Sequence, residues 1–293
     1  MTTAQLTQFA FSGLTLGCIY ALVALGFTII FNSTGIVNFA QGDFVMLGAL
    51  LSATFASVWG LYLPVAILLA IATVALIGGL MLRILIQPLQ PDRSLFLPVM
   101  MTMGASIVFN AVALLLWGAD PLNLPAFSGE APIRIFGATI VPQMLWIGGS
   151  LIATVLLLTF FFRRTRIGQA VLATSMNRDA AASLGVNVPV VMLVSFVWAG
   201  ALGALGGVLI APITTATHDM GASMTLKGFT AAILGGLGSV PGALIGGLAL
   251  GLFEAMSAGV ISSGYRDALA LSVLLVVLML KPSGIMGSAV LKR

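Results

Sequence analysis

Seven stretches of about twenty nearly uninterrupted apolar residues, at 9–31, 36–58, 61–82, 95–117, 141–162, 190–212 and 241–262, constrain this chain more than any other feature. A helix of that length crosses the roughly 30 Å hydrocarbon core of a bilayer. It is also a structure that satisfies its own backbone polar groups there. Two shorter runs, 225–238 and 267–280, are weaker candidates. The fold class predicted is all-α, a polytopic helical membrane protein of eight or nine transmembrane helices with broken or short segments: nine if 225–238 crosses fully, eight if it is re-entrant. Composition points the same way, because charged residues make up 7% of the chain where a soluble domain carries roughly 25%. A soluble enzyme is excluded. The first 16 residues hold no Lys or Arg to form the positive region of a cleavable signal, so the first run is expected to remain in the mature protein.

Catalytic chemistry has little to work with. One cysteine, Cys18, cannot build a thiolate metal site, and one histidine, His218, removes paired-histidine ligation and most acid/base relays. No catalytic residue, metal or cofactor is therefore expected. No Gly-Lys pair occurs anywhere, so the phosphate-binding loop of ATPases is missing and any ATP hydrolysis must reside on a separate subunit. The net charge of +4 is read as topology and not as a nucleic-acid footprint.

Arg163, Arg164, Arg166 and Arg178 crowd one polar stretch, which the positive-inside rule places in the cytoplasm. Counting nine spans outward brings Arg83, Arg93, Lys281, Lys292 and Arg293 to the same side and leaves Arg134, Lys227 and Arg266 opposite. Asp92 and Asp179 fall inside, Asp120, Glu130, Asp219 and Asp267 outside, and only Asp43 and Glu254 are buried. The N-terminus is then outside and the C-terminus inside. Trp59, Trp117 and Trp146 fall at outer span ends, where an indole prefers the interface. The outer loop 118–141, with Pro121, Pro125 and Pro132, is either a solvated connector or a docking surface.

Polar residues interrupt two of the spans. Asn38, Gln41 and Asp43 stand at the start of the second run, where 100° per residue would put Asn38 and Gln41 on one helix face with Asp43 elsewhere. Asp43 either caps a helix after a break at Gly42 or lines a pathway, since a mid-membrane carboxylate costs about 2.5–3.5 kcal/mol and faces an interior or water. The second interruption runs from Lys227 through Thr230 to Gly247 and is dense in glycine. Most of these glycines suit close helix packing, yet paired interrupted segments in the two halves also point to a substrate route. The candidate pathway residues are Asn38, Gln41, Asp43, Lys227 and Thr230. Between spans, the stretch 163–189 contains an Ala-rich segment, Asn177 as a cap and Gly185 as a terminator, which predicts short helices lying on the cytoplasmic face.

Asn38-Phe39-Ala40-Gln41-Gly42 with Leu47-Gly48-Ala49, then Ala182-Ser183-Leu184-Gly185-Val186, Ile233 to Gly247, and Lys281-Pro282-Ser283-Gly284-Ile285-Met286-Gly287 resemble, in this order, the branched-chain amino acid ABC permeases of the LivH branch. The resemblance covers nearly all of 1–293, read as a single permease domain. It implies an ABC importer permease architecture in a bacterial inner membrane, moving branched-chain amino acids or related small amino acid or amide solutes. It also implies four kinds of company: a second permease of the LivM kind, two ATP-binding cassette subunits, a periplasmic substrate-binding protein and membrane lipid. Within 163–189 it makes Arg166, Gly168, Ala173, Arg178, Asp179, Ala182 and Gly185 the ATPase-coupling residues. Many relatives have a basic residue where this chain has Leu172, and His and Glu where it has Gln41 and Asp43. The competing reading, an ion-coupled secondary transporter using Asp43 or Glu254, would rest on two carboxylates with no intramembrane base beside them.

Overall fold

The computed structural model describes residues 3–89, 96–129, 131–135, 138–260, 266–281 and 283–287. Asp92, Arg93, Glu130, Lys292 and Arg293 of the charge argument and Pro282 of the last motif lie outside the described residues. The helices are α1 (Thr3–Thr34), α2 (Gln41–Ala53, continued by a π turn, Thr54–Val58), α3 (Leu63–Met81, continued by a π turn, Leu82–Ile86), α4 (Phe96–Trp117), α5 (Pro142–Arg164), α6 (Arg166–Met176), α7 (Arg178–Ser183), α8 (Val188–Thr214), α9 (Met220–Gly235), α10 (Val240–Val260) and α11 (Arg266–Leu280). The strands β1 (Ile133–Ile135) and β2 (Ala138–Ile140) pair as an antiparallel hairpin. Each of the seven long apolar runs contains a long helix, and among the described residues seven helices are long and apolar enough to cross a membrane.

Local chemistry sets several helix starts. Proline occupies the first turn of α3, α5 and α8, where a missing N–H costs nothing. The Asn187 side chain accepts the Val190 N–H at the start of α8.

Helix α1 is the axis of the bundle, buried without interruption from Ile19 to Leu25. Antiparallel to it runs α10: Gly13 abuts Gly251 and Leu252, Gly17 abuts Leu248 and the Gly247 carbonyl, and Gly259 faces Phe9. Glycines four apart on both helices let the backbones touch, the packing that lipid-embedded helices use in place of hydrophobic collapse.

Gln8 exchanges two hydrogen bonds with the Thr139 backbone, so α1 and α5 begin on one face, the hairpin face. They end on the opposite face with Arg163 and Arg164, called here the basic face. There Asn32 donates to the Gly238 carbonyl, and the Ile285 and Met286 N–H groups donate to Leu234 and Gly235. Lys281 therefore shares the face of the arginines.

Two passages are not made by continuous helix. After α1 ends, residues 35–40 climb back along it, so that the Gln41 side chain lies beside Gly26, eight residues or about 12 Å up the helix. After α8 ends, residues 215–219 descend from the hairpin face, where Ala216 pairs with Leu122, and α9 starts below them. The run 225–238 is thus the helical half of a passage completed by 215–219, and with it the described residues change face nine times. This also corrects the placement of Lys227: the sequence argument put it outside, whereas it sits in the middle of α9 within the bundle.

Candidate functional site

Helices α2 and α9 start at the same depth and run apart, N-terminus against N-terminus. Two glycines allow the approach. A side chain on Gly42 would strike the Gly221 carbonyl and Thr225, and one on Gly221 would strike Asp43. Thr225 stitches the junction: its hydroxyl accepts the Gly42 N–H at 3.0 Å and donates to the Phe39 carbonyl at 3.1 Å. Free backbone groups at membrane depth are thereby satisfied from a distant helix, as a break in a span requires.

Asn38 does not share a helix face with Gln41, because the helix begins only at Gln41 and the 100° argument fails one turn too early. The Asn38 side chain instead turns the extended segment, its Oδ1 accepting the Ala40 N–H at 3.1 Å. Gln41 reaches across α1 to α8, donating to the Ala199 carbonyl at 3.0 Å. Nor does Asp43 cap a helix following Gly42: it lies inside the first turn of α2, where the helix dipole favours a carboxylate. All three residues are buried within this single chain. Asn38 Nδ2, Gln41 Oε1 and Asp43 Oδ2 have no hydrogen-bond partner among the described residues. The break holds unused polar capacity in an otherwise apolar interior.

Lys227 and Thr230 stand six and nine residues beyond Gly221 along α9, about 1.7 and 2.5 turns. Thr230 is buried, and Lys227 Nζ lies 2.7 Å from Glu254 Oε1 on α10, with Glu254 wholly buried and Lys227 17% exposed. The ammonium also sits over the Tyr20 ring of α1, 5.6 Å from its centroid. Glu254 is thus not a carboxylate without an intramembrane base, which is what the sequence argument held against the ion-coupled reading. The sequence argument sets Lys227 on the outer side and so does not pair it with Glu254. Another feature without a sequence signal is Thr215, a β-branched residue held at φ 62° and ψ 159° where α8 gives way to the descending segment. That conformation costs about 1–3 kcal/mol and persists only where its surroundings impose it.

On the basic face, α6 and α7 form a short angled pair. Thr165 caps α6 by accepting the Gly168 N–H, and Asn177 caps α7 by accepting the Ala180 N–H. Gly168 is buried because its missing side chain admits the Phe161 carbonyl. Gly185 ends α7 at φ +86°, a left-handed conformation that suits glycine. Arg166, Asp179, Ala182 and Gly185 are exposed, Ala173 is half-buried, and Arg178 reaches the Met192 sulfur. Leu172, Met176 and Leu184 stand exposed beside them, an apolar surface on a face that is otherwise basic.

Residues 9–280 match the family described as branched-chain amino acid transport system / permease component. The high-affinity branched-chain amino acid transport system permease protein LivH of Escherichia coli is 33% identical over 96% of this chain and 95% of its own length. The corresponding permease protein BraD of Pseudomonas aeruginosa is 32% identical, over 94% of each. Among solved structures, PsaBC from Streptococcus pneumoniae, in complex with Fab, shares the fold with a TM-score of 0.54 at 16% identity, covering 94% of this chain and 92% of that one.

Proposed function

Because the chain belongs to the branched-chain amino acid transport permease family, we propose that it is the membrane subunit of an ATP-driven importer for branched-chain amino acids or closely related small amino acid or amide solutes. The match across residues 9–280, together with relatives aligned over nearly their full length, carries this reading. The bundle that surrounds α1 forms one wall of the pathway and a second permease of the LivM kind forms the other. Two ATP-binding cassette subunits drive it, and a periplasmic binding protein delivers the solute. The basic face is cytoplasmic: Arg83, Arg163, Arg164, Arg166, Arg178 and Lys281 gather there, as the positive-inside rule requires. The N-terminal end is then periplasmic and the C-terminal end cytoplasmic.

The solute passes along the α2–α9 junction, with Asn38, Gln41, Asp43, Lys227 and Thr230 as the polar groups of the route. Their burial corresponds to a closed pathway, and the partnerless atoms of Asn38, Gln41 and Asp43 support the reading because a zwitterion needs polar partners at membrane depth. The ATPase seats on the α6–α7 pair through Arg166, Gly168, Ala173, Arg178, Asp179, Ala182 and Gly185. Exposed Leu172, Met176 and Leu184 favour a docking surface held by shape more than by charge.

The test is uptake of labelled leucine by the assembled complex in vesicles. ATP depletion with the proton gradient intact should abolish it. Uptake that survives depletion and collapses with the gradient would assign the chain to ion-coupled transport.

A further inference from the structure

Helix α4 is attached to the bundle in an unusual way. Of its 22 residues, Pro98, Thr102, Ala105 and Ala113 are buried, while Met100, Met101, Met103, Ile107, Val108, Val112, Leu114, Leu115 and Leu116 are exposed. One narrow stripe carries its polar groups. Thr102, Ser106 and Asn110 repeat every four residues and so lie on one side of the helix.

The two outer rungs of that stripe each meet one of the two chain breaks. The Thr102 hydroxyl accepts the Phe39 N–H at 3.2 Å, within segment 35–40. Asn110 Nδ2 donates to the His218 carbonyl at 2.8 Å, within segment 215–219. Thr102 and Asn110 stand about two helical turns apart on α4, one for each break. Packing adds little beside it: the Phe44 and Phe109 rings stand 6.3 Å apart, and Trp117 Nε1 closes the far end on Thr54 Oγ1 at 2.7 Å.

We infer that Thr102 and Asn110 are positioning residues that lock α4 to both chain breaks, so that any movement of the α2–α9 junction during transport is passed to α4. The physical basis is the solvent. An apolar helix in lipid gains nothing from hydrophobic burial against its neighbours, so hydrogen bonds across the interface decide where it sits. The backbone groups of a broken span must find protein partners, and here α4 supplies them to both breaks at once. A change in the relative depth of the two half-helices must release a rung or carry α4 along. The inference rests on the transport reading above.

The experiment uses the assembled complex in proteoliposomes, with ATP hydrolysis and labelled leucine uptake measured on the same preparation. In parallel, cysteines at 44 and 109 in a Cys18→Ala chain are cross-linked by a short bismaleimide. Thr102→Val and Asn110→Leu should assemble and hydrolyse ATP, yet lower uptake per ATP about fivefold and lower the 44–109 cross-link, while Thr102→Ser retains both. Unchanged uptake per ATP overturns the inference, whether or not the cross-link is lost. Lowered uptake with the cross-link intact overturns it too, because the residues then act other than by holding α4. If the unsubstituted complex takes up no leucine with ATP, the transport reading fails by itself. The cross-link then decides whether the stripe holds α4: its loss in the variants sustains that part, and its persistence overturns it.

Discussion

Lys227 of α9 and Glu254 of α10 form an ion pair at 2.7 Å within the bundle, with the ammonium over the ring of Tyr20. Glu254 has no exposed surface, so its charge depends on the ammonium opposite. Removing one partner leaves the other uncompensated, which costs about 3–5 kcal/mol for a buried pair. Lys227→Met should therefore lower the yield and the thermal midpoint of purified complex sharply. Lys227→Met combined with Glu254→Leu should recover most of the loss, and a double variant as unstable as the single one would show that the pair is not what holds α9 to α10.

Thr225 serves both sides of the first break with one hydroxyl. Thr225→Val keeps the shape and deletes the bonds to Gly42 and Phe39, leaving two buried backbone groups unsatisfied at about 1–3 kcal/mol each. Thr225→Ser restores the hydroxyl. Thermal unfolding in detergent should rank the three chains Thr, Ser, Val from most to least stable.

At Gly221 the obstacle is steric. A methyl group there meets the Asp43 carboxylate, so Gly221→Ala should push α9 from α2 and depress the amount of folded complex. Ala222→Val, at the neighbouring exposed position, serves as the control and should be recovered at normal levels.

For Gly185 the expected defect lies in coupling. Its φ of +86° is costly for a β-branched side chain, so Gly185→Val should displace the end of α7 while the spans remain intact. ATPase stimulation by loaded binding protein should fall in complexes that purify normally. Full stimulation and full uptake would remove α7 from the docking surface.

The spans were legible because a bilayer demands uninterrupted apolar length, and runs such as 61–82 or 95–117 have little else to be. The breaks were legible in place and not in geometry. Asn38 and Gln41 announce polar groups inside a span, but nothing local says that the helix waits until Gln41, because the partner that satisfies Gly42 is Thr225, far along the chain. Lys227 was misplaced for the same reason: its counter-charge is 27 residues away and meets it only once α9 and α10 fold into a hairpin. The stripe of Thr102, Ser106 and Asn110 was in plain view at four-residue spacing, yet its purpose appears only when both breaks are stacked beside it. The caps of α6 and α7 were easiest to foresee, since Asn177 and Gly185 act on backbone within a few residues of themselves.

Opposed helix starts at the centre of a membrane also bear on what the protein must not conduct. Each N-terminus presents the equivalent of about half a positive charge, so the two starts of α2 and α9 together amount to about one. A carboxylate at Asp43, in the first turn of α2, balances that charge and leaves the junction close to neutral overall. On the proposed route, such a balance would suit a net-neutral zwitterion, while a sodium ion or a proton would find no uncompensated charge there to draw it across the bilayer.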